Sequence, residues 1–113
     1  MADFSIRQIE ESILVVRDQR VTLDSELAKV YSVTTKRLNE QVKRNRERFP
    51  QDFMFQLNEI ESSFLRSQIA TSKNRGGRRY LPYVFTEHGA LMLANVLNSE
   101  TAIDASIKVI RAF

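Results

Sequence analysis

Two short stretches of helical spacing, split by a break at Ser32-Val33, constrain this chain more than any other feature of it. Leu27, Ala28 and Tyr31 fall on one face of a first helix. Asp24 is placed to cap it, because its carboxylate can accept from the free backbone N–H groups of the first turn. Thr34 or Thr35 then caps a second helix running to about Arg48. Leu38, Val42 and Asn45 lie on its inner side, and Lys36, Glu40, Lys43, Arg44 and Glu47 on the opposite side. Pro50 closes the segment. A helix-turn-helix needs a small residue where its helices cross, a tight connection and an apolar pin after it. Ala28, Ser32 and Val33 fill those places, with Ser32 standing where glycine is common.

The remaining elements follow from local signals. The first ten residues alternate weakly and fit either a short helix or a frayed arm. Ile13–Val16 and Arg20–Leu23 are β-prone runs that form a hairpin around Arg17-Asp18-Gln19, without the Asn-Gly type of turn signal. Phe53–Leu57 predicts a strand. Asn58 caps a helix from Glu59 to about Ile69, with Ile60, Phe64 and Leu65 as its apolar face. Thr71–Arg79 is a polar loop centred on Gly76-Gly77, and Tyr80–Phe85 is β-prone, with Pro82 suggesting an edge position or a kink. Thr86 caps a helix to about Leu97. A last helix runs from Ser99 or Glu100 to Phe113, and its Ile103, Ile107 and Ile110 are either core, the preferred reading, or a dimer seam.

Charge is unevenly placed. The 113 residues carry a net +3, but residues 34–50 and 71–80 together hold +8 and the rest of the chain −5. Such a separation creates a field that draws a polyanion to one face. An apolar fraction of 42% supports one core and argues against disorder. With no cysteine, disulfides and thiolate metal sites are excluded, and with no long apolar run or secretory leader the expectation is a cytoplasmic protein without a membrane partner. The only histidine, His88, sits in the first turn of an apolar helix. No nucleophile–base pair, HExxH, phosphate-cradling loop or carboxylate cluster accompanies it, so catalysis and a cofactor are not expected.

The outward residues of the second helix suit duplex DNA. Thr35, Lys36, Asn39, Glu40 and Lys43 are the candidates to reach base edges: lysine donates to guanine, asparagine pairs with adenine, and glutamate accepts from cytosine. Arg37, Arg44, Arg46 and Arg48 are candidates for phosphates, as are Lys73, Arg75, Arg78 and Arg79 on a loop placed like a wing. Asn45, on the inner side, is assigned to the fold. Glu40 and Glu47 have the alternative of pairing with Arg44 and Lys43 on the helix surface.

Several ordered motifs carry a resemblance. They are Leu23–Tyr31, Leu38–Asn45, Arg48–Leu57, Leu65–Gln68, Gly76–Tyr83, Thr86–Ala90 and Ile110–Phe113. Together they make the chain, over about residues 9–113, similar to the ORF6N domain, a family of bacteria and their phages that stands alongside the KilA-N and Bro-N groups. His88 departs from the glutamine frequent there. The resemblance implies DNA binding and an antirepressor-like role in phage or prophage regulation. The expectation is therefore one α+β domain over residues 1–113, the N-terminal part of a longer protein. It contains a helix-turn-helix, a small antiparallel sheet and a basic wing-like loop. Its partners are double-stranded DNA and, as a homodimer, a second copy. The alternative is a protein-interaction module that meets a repressor or other regulator through its basic face.

Overall fold

A computed structural model describes residues 5–69 and 81–113. The described residues form an α+β fold, with six helices around a four-stranded antiparallel sheet. The first helix is α1 (Ile6–Glu11), set by a reciprocal capping box. The Ser5 hydroxyl accepts from the Gln8 N–H, and the Gln8 side chain accepts from the Ser5 N–H. Ile9 anchors it in the core.

Strands β1 (Leu14–Val16) and β2 (Gln19–Leu23) make the expected hairpin. Its two-residue turn, Arg17-Asp18, takes φ of 54° and 63°, the positive pair that suits a tight twisted hairpin. Arg17 is held there by its surroundings rather than by turn propensity. Its guanidinium lies 4.5 Å over the Phe55 ring and donates twice to the Glu61 carboxylate, at 2.8 and 2.9 Å.

β3 (Met54–Gln56) and β4 (Tyr83–Phe85) complete the sheet. β4 lies between β2 and β3, so the edge position suggested by Pro82 is not realised. The proline stands just before the strand, where its missing N–H costs no ladder bond, and its carbonyl accepts from the Leu57 N–H.

Alternation through the sheet separates two apolar clusters. Met54 and Phe85 face the main core, built with Ile9, Leu27, Tyr31, Leu38, Phe49 and Leu93. Phe55, Val84 and Val21 face the other way, against Leu57 and, from α4 (Glu59–Ile69), Leu65. Asn58 caps α4 as expected, its Oδ1 accepting from the Glu61 N–H. The expected apolar face of α4 is only partly used. Leu65 packs, whereas Ile60 and Phe64 are exposed.

On the main-core side, α2 (Asp24–Val30) follows β2 directly, and α3 (Thr35–Arg44) follows a four-residue turn. The helical hydrogen bonding of α3 stops at Arg44, and Arg46–Arg48 continues as one 3₁₀ turn, so the second helix is shorter than its pattern suggested. α5 (Glu87–Leu97) is capped by the Thr86 hydroxyl and ended by Asn98 in the left-handed region. It is the central helix: α3, β4 and α6 (Glu100–Ala112) all pack on it. Gly89 lets α5 sit down on the sheet, since a Cβ there would lie 1.9 Å from the Phe53 carbonyl oxygen. In α6 the buried residues are Ala102, Val109 and Ala112, and Ile103, Ile107 and Ile110 are about half exposed. They are therefore not core residues as preferred from periodicity. Small side chains bring α6 close to its neighbours on one side, which leaves the isoleucines on the other.

Candidate nucleic-acid interface

The site is built from the turn upward. Tyr31 ends α2 fully buried, and its phenol donates to the Ala90 carbonyl of α5 at 2.8 Å. Burial pushes that phenol well above its ordinary pKa, so it remains a neutral donor. Ser32 then takes φ of 59°, in the left-handed region. That is the conformation glycine supplies most easily, which explains the turn at a position where the sequence offers serine. The Val33 N–H returns to the Ala28 carbonyl at 2.9 Å, and the Val33 side chain packs on the main core. Thr34, of the two threonines, is the cap of α3, with its hydroxyl accepting from the Arg37 N–H at 3.0 Å.

From that start the helical period decides which side chains face outward. Leu38 and Val42 are buried. Lys36, Glu40 and Lys43 form one exposed line, flanked by exposed Arg37 and Arg44 and followed by exposed Arg46, Glu47 and Arg48. Among the described residues no ion pair joins Glu40 to Arg44 or Glu47 to Lys43. The surface pairing considered for those glutamates is therefore absent from this arrangement. Arg48 donates to the Asn95 Oδ1 on α5 at 3.1 Å.

Thr35 and Asn39 lie on a flank that turns inward, and both are half-buried. The Asn39 amide donates to Asp24 Oδ2 at 3.2 Å. Asp24 itself differs from the expected cap. Leu23 holds the cap position, and Asp24 is the first helical residue, fully buried. Its carboxylate accepts from the Ser25 N–H at 2.7 Å and, weakly, from the Tyr83 N–H at 3.4 Å. One side chain thus ties α2, α3 and β4 together. No local signal marked this role, because Ser25 and Glu26 stand beside Asp24 and only the tertiary fold buries the one acid and leaves the other half-exposed.

Asn45 belongs to the fold, since its amide donates to the Gln41 carbonyl at 2.8 Å and closes α3. Lys73, Arg75, Arg78 and Arg79 lie outside the described residues. The chain re-enters at Leu81, whose carbonyl accepts from Gln56, and Tyr83 then meets Asp24 beside Asn39.

Beyond the 3₁₀ turn lies a feature that sequence reasoning missed. His88, exposed at the start of α5, stacks on Phe53 with ring centres 5.7 Å apart. With Arg48, Leu91, Met92 and Asn95 these two rings line a shallow, open hollow of about 420 Å³. Phe53 and His88 are 35 positions apart, and no local pattern pairs them.

Electrostatically, α3 and the turn after it form a ridge of six exposed cations interrupted by two carboxylates, on a rigid apolar footing. Such a surface attracts polyanions, and its alternation of donors and acceptors can discriminate among them. The family model of the ORF6N domain matches residues 11–96. The chain belongs to the ORF6N domain family, which is associated with phages. No curated protein and no solved structure matches it. Among the described residues no helix is long and apolar enough to cross a membrane.

Proposed function

We propose that this chain binds double-stranded DNA in a sequence-specific way, as part of phage- or prophage-type transcriptional regulation with an antirepressor-like role. In this reading α2 and α3 act as a helix-turn-helix, and α3 enters the major groove. The observation that carries it is the exposed line of Lys36, Glu40 and Lys43 on a helix whose opposite face is locked into the core. Membership of a phage-associated family supports the same conclusion.

Capture is electrostatic, and reading follows. Lys36, Glu40 and Lys43 take the base edges. Thr35 stands at the helix start, and Asn39 supports α3 through Asp24. Arg37, Arg44, Arg46 and Arg48 take phosphates. Lys73, Arg75, Arg78 and Arg79 add phosphate contacts in the manner of a wing.

Selection of preferred duplexes from a random pool tests this directly. Enrichment of a common sequence is the expected result, and its loss in a Lys36→Ala/Lys43→Ala variant assigns it to α3. Arg78→Ala/Arg79→Ala should weaken all duplexes alike, since phosphate contacts carry no sequence information. A pool with no enrichment overturns the reading. It would favour the second one, a protein-interaction module that meets a repressor or other regulator through its basic face. The observation favouring that reading is the largely apolar hollow between Phe53, His88, Leu91 and Met92.

A further inference from the structure

α6 presents Ile103, Ile107 and Ile110 at 49%, 49% and 48% exposure, spaced i, i+4, i+7 along one line of the helix. That is the spacing of a helix–helix seam, with apolar residues alternating four and three apart. The helix is already seated by Ala102, Val109 and Ala112, which lie in the main core, so the stripe is not needed to fold α6 against α5 and α1. Scattered exposed isoleucines are unremarkable, but three aligned on one helix form a continuous apolar line.

The charges beside the stripe indicate what would cover it. Asp104 and Arg111 are both exposed, and they sit seven residues apart on the same flank of the stripe. Neither makes an ion pair among the described residues. When two copies of α6 run antiparallel about a two-fold axis between Ile107 and Lys108, residues equidistant from the centre face each other. Asp104 of one copy then meets Arg111 of the second copy, and the symmetry repeats the pair on the other side. The isoleucines form the layers between them. A parallel pairing would instead set Asp104 against Asp104 and Arg111 against Arg111.

We infer that α6 is a homodimer seam, in which a second copy of this chain packs antiparallel on Ile103, Ile107 and Ile110 and is held in register by reciprocal Asp104–Arg111 pairs. The contact is isologous, as a two-fold dimer requires. It is also short. Three isoleucines per copy give less than the roughly 1,200–2,000 Å² of a stable interface, so the dimer is reversible and concentration-dependent. The inference goes beyond the proposed DNA binding, because the residues of the seam are not those of α3.

Sedimentation equilibrium without DNA, from micromolar to millimolar chain, tests it independently of that reading. The parent chain is expected to pass from monomer to dimer over this range. Ile107→Glu should lower the association constant at least tenfold. Asp104→Arg alone and Arg111→Asp alone should each do the same, since each sets like charges opposite one another. Mixing those two variants should restore association as a heterodimer, because both cross-pairs are then complementary. Misfolding could not produce that rescue. A parent chain that remains monomeric throughout, or two charge variants that fail to associate when mixed, overturns the proposal.

Discussion

α3 and α6 pack on the same central helix, α5, and both present a well-defined face to solvent, yet the two faces are opposite in kind. α3 buries Leu38 and Val42 and turns out Lys36, Glu40 and Lys43. α6 buries Ala102, Val109 and Ala112 and turns out Ile103, Ile107 and Ile110. In each case the buried set suffices to dock the helix, so the outward set is free to serve something else. Charged residues keep their hydration until a polyanion displaces counterions, whereas apolar residues gain by leaving water altogether. The two surfaces therefore suit different partners, and a single chain can present both because α5 supports both helices.

Removing that shared support should produce the largest effect. Gly89→Ala places a methyl group 1.9 Å from the Phe53 carbonyl oxygen, and backbone on both sides must shift. The Thr86 cap is lost with it, because its hydroxyl donates to the carbonyls of Asp52 and Phe53 while accepting from the Gly89 N–H. A loss of about 3 kcal/mol is expected in urea unfolding, with DNA binding and self-association failing together. If one face survives at full strength, α5 is not their common footing.

The two faces should separate under surface substitution. Lys36→Ala/Lys43→Ala is expected to weaken duplex binding by about 1–3 kcal/mol for each lysine that reads a base, or to reduce the salt slope by about 0.9 for each that touches a phosphate. Folding stability should change by less than about 0.5 kcal/mol, since both side chains are exposed. Self-association should be unchanged. Titration of labelled duplex at several salt concentrations, beside sedimentation of the same samples, checks all three.

How the sequence relates to these faces differs from element to element. The starts of α3, α5 and α6 were legible, because Thr34, Thr86 and Ser99 each supply a hydroxyl to the first turn in a local arrangement. The outward line of α3 was legible for a similar reason, as helical period alone separates Leu38 and Val42 from Lys36, Glu40 and Lys43. Periodicity failed for α6. It shows that a face is apolar but not whether a neighbour covers it, and alanine and valine on the adjoining side did the packing. Asn39 was not legible as a partner of Asp24, because 15 positions separate them and only the tertiary fold brings them together. The same holds for Phe53 and His88.

The turn before α3 offers a finer test of how firmly that face is held. Ser32 adopts φ of 59°, a region costly for a residue with a side chain. Its side chain is exposed and contributes no hydrogen bond to the fold among the described residues. Ser32→Gly removes the steric cost and adds freedom to the unfolded chain, two effects that oppose each other. The net expectation is a stabilisation of about 0.5 kcal/mol in thermal or urea unfolding, without change at α6. A clear destabilisation would show that the serine rigidifies the entry to α3.

The smallest effect belongs to a region remote from both faces, which makes it a control for the comparison. On the far side of the sheet, Arg17 donates to Glu61, and the Asn58 N–H adds a third donor to the same carboxylate. The Arg17 hydrogen bonds, followed by that of Asn58, hold the Glu61 carboxyl below the usual carboxylate range, while Arg17 is correspondingly raised. A depressed carboxylate contributes stability above its unfolded pKa and loses it as pH falls through the folded value. The contribution is therefore intact at neutral pH and disappears below about pH 4, where an ordinary glutamate protonates. Because the pair is partly exposed, solvent screening limits it to about 0.2–1 kcal/mol. Glu61→Gln should lower stability by that amount at pH 7 and by progressively less towards pH 3, with duplex binding and self-association unaltered at neutral pH. A shift in either of those would mean that the two faces communicate through the sheet, and that their independence on α5 is incomplete.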